Sequence, residues 1–240
     1  MAHIFNFTRQ PLLKLDSIQE LENTYKPKHP HGWSREFRPL HEVDELLNPE
    51  YLEADPLYLE IGCGHGDFLV RQARSDPDGN YIGIEIVSFF AVSAAKQVEN
   101  QNLHNVLVLN QNANQLMDRV LPDESLDKIF ILYPDPWPKS RHRKRRLIRE
   151  ETYHLYHKVL KRGGEIEIWT DTKKWVTLSV PFLNRLSGKL SQEEVSDEIA
   201  TQRTLFERKA RTKDHPIFHL IYTKPGNTAH ADTSNEDNKV

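Results

Sequence analysis

Apolar residues recur along this chain in two rhythms. Short apolar stretches at residues 57–61, 81–84, 106–109, 126–132 and 165–169 have the length and composition of buried strands. Between them the spacing changes to three or four: Phe68, Leu69 and Ala73 in one segment, then Ala91, Ala94, Ala95 and Val98 across a helix over 89–101. Leu147, Tyr153, Leu155, Tyr156 and Val159 predict a helix over 146–160, capped by Gly163-Gly164, and a further amphipathic helix covers 175–186. Strands alternating with helices predict an α/β fold with a Rossmann-like, doubly wound, mostly parallel sheet. Two late strands, 189–195 and 216–223, predict a C-terminal antiparallel hairpin, with Thr204-Leu-Phe-Glu207 in a charged connection between them.

The periodic part sets the domain limits. Residues 1–55 read as an N-terminal extension with a short helix over 40–52 and a turn-rich patch over 26–33, whose His29 and His31 lack a third metal ligand. Residues 56–224 form the domain, and the polar run 225–240 has nothing to bury and is expected to be a disordered tail. No metal site is expected. One cysteine, Cys63, excludes an intramolecular disulfide and a cysteine-based zinc site. The longest apolar runs fall far short of the roughly 20 residues of a membrane span, and the first residues lack the pattern of a signal peptide. A soluble, cytoplasmic protein is expected.

Chemistry gathers at the carboxyl ends of the predicted strands. Gly62-Cys-Gly64-His-Gly66-Asp follows the first strand, and alternate glycines let backbone approach a ligand closely. Glu85 ends the second strand, 19 residues after Gly66, where an acid accepts ribose hydroxyls. Asn112 lies past the third, placed for an adenine edge. A dinucleotide fingerprint would need glycine where Asp67 stands. Gly-x-Gly-x-Gly after Glu60 is instead similar to the first motif of S-adenosylmethionine-dependent methyltransferases, whose sulfonium suits nearby carboxylates.

The fourth strand delivers Tyr133-Pro-Asp135-Pro-Trp137-Pro-Lys139, in which three prolines within five residues enforce a stiff extended loop. Seven Lys or Arg follow between Lys139 and Arg149, although the net charge of the chain is -3. A local basic arm on a near-neutral protein suits docking to a polyanion. Thr170-Asp171 ends the fifth strand on the same edge, where the acid can meet substrate or cap the next helix.

Together, Leu-Glu60-Ile-Gly-Cys-Gly-His-Gly, Ile-Gly-Ile-Glu85, Pro-Asp135-Pro-Trp-Pro-Lys139-x-Arg-His-x-Lys-Arg-Arg, Thr-Asp171 and Thr204-x-Phe-Glu207 resemble bacterial tRNA (guanine-N7-)-methyltransferases, over residues 57–223. The resemblance implies a class I fold and S-adenosylmethionine held by Glu60, Gly62, Gly64, Gly66, Glu85, Asn112 and Asp135. It implies substrate contacts from Lys139, Asp171, Thr204, Leu205, Phe206 and Glu207. It also implies tRNA contacts from Arg141, His142, Arg143, Lys144, Arg145 and Arg146. No obligatory protein partner is implied. Many members have Asp where this chain has Asn112.

The chemistry agrees. Guanine N7 carries a lone pair in the neutral base, so methylation needs positioning rather than a general base. A fixed carboxylate can hydrogen-bond the guanine N1–H and amino edge as charge builds, with Asp135 the first choice as catalytic residue and Asp171 the second. Methyl transfer to another RNA base or to a small molecule keeps the cofactor half, but a small acceptor leaves the basic arm unexplained. A non-catalytic RNA binder leaves the acids unexplained.

Overall fold

The computed structural model describes residues 47, 52–53, 55–195 and 205–226. Seven strands form one sheet in the order β3-β2-β1-β4-β5-β7-β6. They are β1 (Leu57–Ile61), β2 (Asn80–Ile84), β3 (Val106–Leu109), β4 (Leu126–Leu132), β5 (Leu160–Thr170), β6 (Lys189–Val195) and β7 (Ile217–Thr223). The first five pair in parallel, and β7 runs antiparallel between β5 and β6. The strand order reverses between β1 and β4, so the loops leaving those two strands diverge around a crevice, the place where open α/β sheets bind ligands.

Side-chain alternation assigns the two faces. Leu57, Leu59 and Ile61 join Ile129, Ile131, Ile166 and Ile168 in one apolar layer with α3 (Ala113–Arg119), α4 (Tyr153–Val159) and α5 (Lys173–Leu183). The other face packs under α1 (Asp67–Ser75) and α2 (Ser88–Asn100), and under α6 (Leu205–Thr212) through Ala210. Glu60 belongs to that second face, level with Gly83 on β2 and Phe130 on β4. Gly83 is required there, because a methyl group would collide with the side chain of Leu69.

Four boundaries differ from the sequence pattern. The helix expected over 146–160 begins only at Tyr153, and Ser140–Arg145 form a 3-10 helix. Arg146 is extended, at φ -67° and ψ 137°, and its side chain is engaged elsewhere. Gly163-Gly164 does not cap a helix but lies inside β5, where the register shifts between Leu126 and Lys128; Gly163 has φ +78°, and a Cβ on Gly164 would sit 3.0 Å from the Asp127 carbonyl. Residues 205–209 belong to α6, not to a connection, and α3 escaped the pattern because it is only seven residues long. The helix expected over 40–52 falls almost wholly outside the described residues, as do the patch over 26–33 and most of the polar tail. Among the described residues no helix is long and apolar enough to cross a membrane.

A charged network is embedded beneath α6. Glu167 is 6% exposed and accepts hydrogen bonds from Lys128 Nζ at 2.7 Å and Trp169 Nε1 at 2.7 Å. His219 stacks on Trp169 with ring centroids 4.0 Å apart and lies 3.4 Å from Glu167 and 3.0 Å from Glu193. Burial alone would raise the Glu167 pKa, but His219, Lys128 and Trp169 hold it far below the usual carboxylate range. Burial likewise opposes charge on His219, and its two carboxylate neighbours outweigh that effect and raise its pKa above 6.5. The His219 contribution to stability is therefore complete below pH 6.5 and is lost as pH rises through the folded value; that of Glu167 is complete above 4.5 and is lost in acid. Denaturant titrations are expected to show wild-type stability declining above pH 6.5, and His219→Gln is expected to flatten that decline.

Candidate functional site

The glycine turn after β1 is held open by its backbone. Gly62, Gly64 and Gly66 all have positive φ, at 78°, 56° and 86°, a region that side-chain-bearing residues avoid. A Cβ on Gly66 would press on Ala94 of α2 at 3.0 Å, so this glycine packs the turn against the helix. At Gly62 and Gly64 an added Cβ would meet nothing within 4 Å. Those two leave room for a ligand. The Gly62 and Cys63 N–H groups both donate to the Ile84 carbonyl, at 2.7 and 3.1 Å, which ties the turn to the end of β2.

Acids line this turn. Glu60 is 3% exposed, and its Oε2 atom has no hydrogen-bond partner. Burial, reinforced by the charge of Glu85, pushes its pKa up to about 8. Glu85 is also buried; Oε2 accepts the Gly64 N–H at 3.0 Å and Oε1 the Val87 N–H at 2.8 Å. Burial raises its pKa, backbone N–H groups oppose the rise, and the charge of Asp135 adds to it. Asn110 fixes this corner by donating to the Glu85 carbonyl at 2.8 Å while accepting from Ser88 Oγ at 2.8 Å. Three carboxylates from β1, β2 and the loop after β4 thus share one electrostatic field. A buried acid with an unpartnered oxygen calls for a cation or a strong donor.

Asn112 lies at the head of α3. Its Oδ1 accepts from the Asn114 and Gln115 N–H groups, at 3.0 and 3.3 Å, and so caps that helix. The amide oxygen is engaged by backbone, which leaves the NH2 group as the side chain's remaining donor.

The proline segment has no regular secondary structure from Pro134 to Pro138, and the extended course that its composition predicts is broken at Trp137, whose φ is 40°. Asp135 stands exposed at the crevice mouth, yet the surrounding protein desolvates it enough to raise its pKa. Tyr133, just before the segment, has a left-handed φ of 51° as well. The Tyr133 N–H donates to the Trp169 carbonyl at 2.6 Å, which roots the loop on β5.

The basic arm is more occupied than its composition suggests. Arg141, Arg143, Lys144 and Arg145 are exposed along the 3-10 helix, with Lys139 exposed at its start. Arg143 pairs with Glu151, Arg141 Nε donates to His142 Nε2 at 3.3 Å, and His142 packs edge-on against Trp137 at 5.3 Å. The Arg145 guanidinium lies 4.7 Å from the centre of the Trp137 ring. Arg146 is turned inward, donating to the carbonyls of Trp137 at 3.1 Å and Pro138 at 3.4 Å.

Asp171 reaches the same edge from β5, with Oδ2 3.5 Å from His215 Nδ1 and Oδ1 accepting from Thr172 Oγ1 at 3.1 Å. It does not cap α5: the Thr172 N–H goes to Thr170 Oγ1 at 3.2 Å. Glu207 is 0% exposed and accepts both Nε and an NH2 group of Arg211, at 3.1 and 3.0 Å. The Glu207 carboxylate is thus buried and engaged by Arg211, which is itself mostly covered. Thr204 lies outside the described residues, and Leu205 and Phe206 open α6. Sequence reasoning missed His215 and Arg211. For Arg211 the i,i+4 spacing from Glu207 was the available signal; for His215, 44 positions from Asp171, there was none.

Comparison with known proteins follows the same lines. Residues 54–220 match a family described as a putative methyltransferase. A tRNA (guanine-N(7)-)-methyltransferase of Buchnera aphidicola subsp. Baizongia pistaciae (strain Bp) is 32% identical over 181 residues, covering 74% of this chain and 73% of that protein. Another, from Bacillus licheniformis, is 34% identical over 173 residues, covering 69% of this chain and 79% of its own length. A solved structure described as an antibiotic-related methyltransferase superposes with a TM-score of 0.56 over 75% of this chain and 92% of its own, at 16% identity, a likeness of fold.

Because the Asn112 side chain caps α3, Asn112→Ala is expected to cost about 1 kcal/mol of stability, whereas Asn112→Asp keeps the acceptor and should leave the denaturation midpoint close to that of the wild type.

Proposed function

Since this chain belongs to the tRNA (guanine-N(7)-)-methyltransferase family, we propose that it transfers the methyl group of S-adenosylmethionine to N7 of a guanine in the variable loop of cytoplasmic tRNA. The observation that carries the reading is the buried, unpartnered Oε2 of Glu60 beside the open backbone of Gly62 and Gly64, on the strand that pairs with the one leading into the basic arm.

The crevice suits the donor. When bound, S-adenosylmethionine supplies a methyl group made electrophilic by a sulfonium. Glu60 takes the ammonium of its amino-acid end, which ends the isolation of Oε2. Glu85 keeps lone pairs beyond those used by Gly64 and Val87, and these accept the ribose hydroxyls. Asn112 offers its NH2 group to the adenine edge. Gly62, Gly64 and Gly66 shape the floor.

On the acceptor side, no residue has to remove a proton before N7 attacks, so the chain contributes geometry and charge. Asp135 accepts from the guanine N1–H and amino edge and opposes the positive charge that spreads over the purine as the N7–carbon bond forms and the carbon–sulfur bond breaks. Asp171 is the second acceptor at that edge, steadied by His215. Lys139, Thr204, Leu205 and Phe206 meet the substrate, and Glu207 acts through Arg211. Arg141, His142, Arg143, Lys144 and Arg145 face the tRNA backbone, where recognition rests on shape and phosphate contacts.

Incubation with radiolabelled donor and unmodified tRNA, followed by nucleoside analysis, is expected to place label in 7-methylguanosine; label in a different nucleoside would discard the N7 reading. Asp135→Asn is expected to lower turnover by about 10²- to 10³-fold with donor and tRNA affinity retained. A proton is predicted to leave Glu60 when the donor binds near pH 7, because burial holds this acid at about 8 in the free protein. Calorimetry in buffers of different ionisation enthalpy should detect that release in the wild type and lose it in Glu60→Gln.

A further inference from the structure

Among the six arm residues that the sequence points toward RNA, Arg146 is the one whose guanidinium donates to backbone carbonyls of the proline loop. Its Nε donates to the Trp137 carbonyl at 3.1 Å and one NH2 group to the Pro138 carbonyl at 3.4 Å. Its own carbonyl accepts from Arg149 at 3.0 Å, and Arg149 pairs with Glu151 at 3.1 Å, so the latch is anchored behind. Trp137, two residues from Asp135, has φ +40°. That conformation is uncommon for a bulky residue and persists only where surroundings enforce it. Arg145 over the Trp137 ring, His142 at the ring edge and Arg146 on the carbonyl supply the enforcement.

We propose that Arg146 is a positioning residue for Asp135. Its planar fork ties the proline loop to the root of the basic arm, so that docking of the tRNA backbone on the exposed part of the arm and placement of the carboxylate are mechanically one event. Two carbonyl acceptors side by side match the fork geometry of a guanidinium and not the point charge of an ammonium. The inference rests on the reading of Asp135 as the carboxylate that meets guanine.

Four full-length variants test it: Arg146→Ala, Arg146→Lys, Asp135→Asn and Asp135→Asn with Arg146→Ala. Each is compared with wild type by single-turnover methylation at saturating tRNA, by tRNA affinity across a salt series and by thermal melting. A latch predicts that Arg146→Ala and Arg146→Lys both slow the single-turnover rate by about 10- to 100-fold. It also predicts a wild-type salt slope for both, and no further loss when Arg146→Ala is added to Asp135→Asn. A phosphate ligand predicts the reverse. In that case the rate at saturating tRNA stays wild-type, the slope becomes shallower by about 0.7 to 0.9 in Arg146→Ala, and Arg146→Lys restores it; this result overturns the proposal. So does a loss that multiplies fully with that of Asp135→Asn, which would place the action of Arg146 elsewhere. If Arg146→Ala melts below the assay temperature, Arg146→Lys, which keeps the stem and the charge, decides the question by its rate and slope. Wild-type turnover in Asp135→Asn alone sinks the reading of Asp135 and this inference with it, and that is read without reference to Arg146.

Discussion

A carboxylate at the centre of a parallel sheet is the constraint from which the rest of the site follows. Glu60 sits on β1 between Gly83 and Phe130, under α1, where it is buried and no side chain or backbone donor meets Oε2. Burial of this kind is costly unless the group is neutral or paired. The charges of Glu85 on Glu60 and of Asp135 on Glu85 add to the burial that raises both pKa values, so each acid is held toward its neutral form in the free protein. A cationic, hydroxyl-bearing ligand opposes that effect. The glycine turn, the Ile84 carbonyl that holds it and the strand reversal between β1 and β4 all keep that space accessible.

Immediately above the acids the sign of the charge inverts. Ten residues after Asp135, the chain has presented Lys139, Arg141, Arg143, Lys144 and Arg145. The two regimes meet in the proline-stiffened loop at Trp137, which takes Arg145 on its face. One short segment therefore joins a site that concentrates cations to a surface that concentrates anions. A methyl donor bearing a sulfonium and an acceptor bearing phosphates need such a division.

Period-two and period-3.6 patterns made most of the sheet and its large helices legible, since Leu57–Ile61, Val106–Leu109, Leu126–Leu132 and Lys189–Val195 appear where alternation and length place them. Tertiary contacts decided the exceptions. Arg146 is a good helix former that remains extended because its guanidinium serves the Trp137 and Pro138 carbonyls. Gly163-Gly164 reads locally as a helix stop, and the register shift opposite Leu126 gives it another use. At the site, Glu60, Glu85 and Asp135 were visible from their positions at strand ends. That Asn112 spends its oxygen on α3, or that Glu207 is enclosed by Arg211, depends on side-chain directions no linear pattern encodes.

Tyr133 and Trp137 stand on either side of Asp135 with left-handed backbone, at roughly 1 to 3 kcal/mol each for residues that bear large side chains. Glycine at either position would relieve that cost but give up the packing of Tyr133 on the cluster of Phe130 and Trp169, or of Trp137 against Arg145 and His142, and would free the unfolded chain. The surplus strain is the counterpart of a loop with few alternative shapes. Strain and the contacts that hold it come together at these two aromatics, so a glycine that relaxed the backbone would also loosen the acid between them.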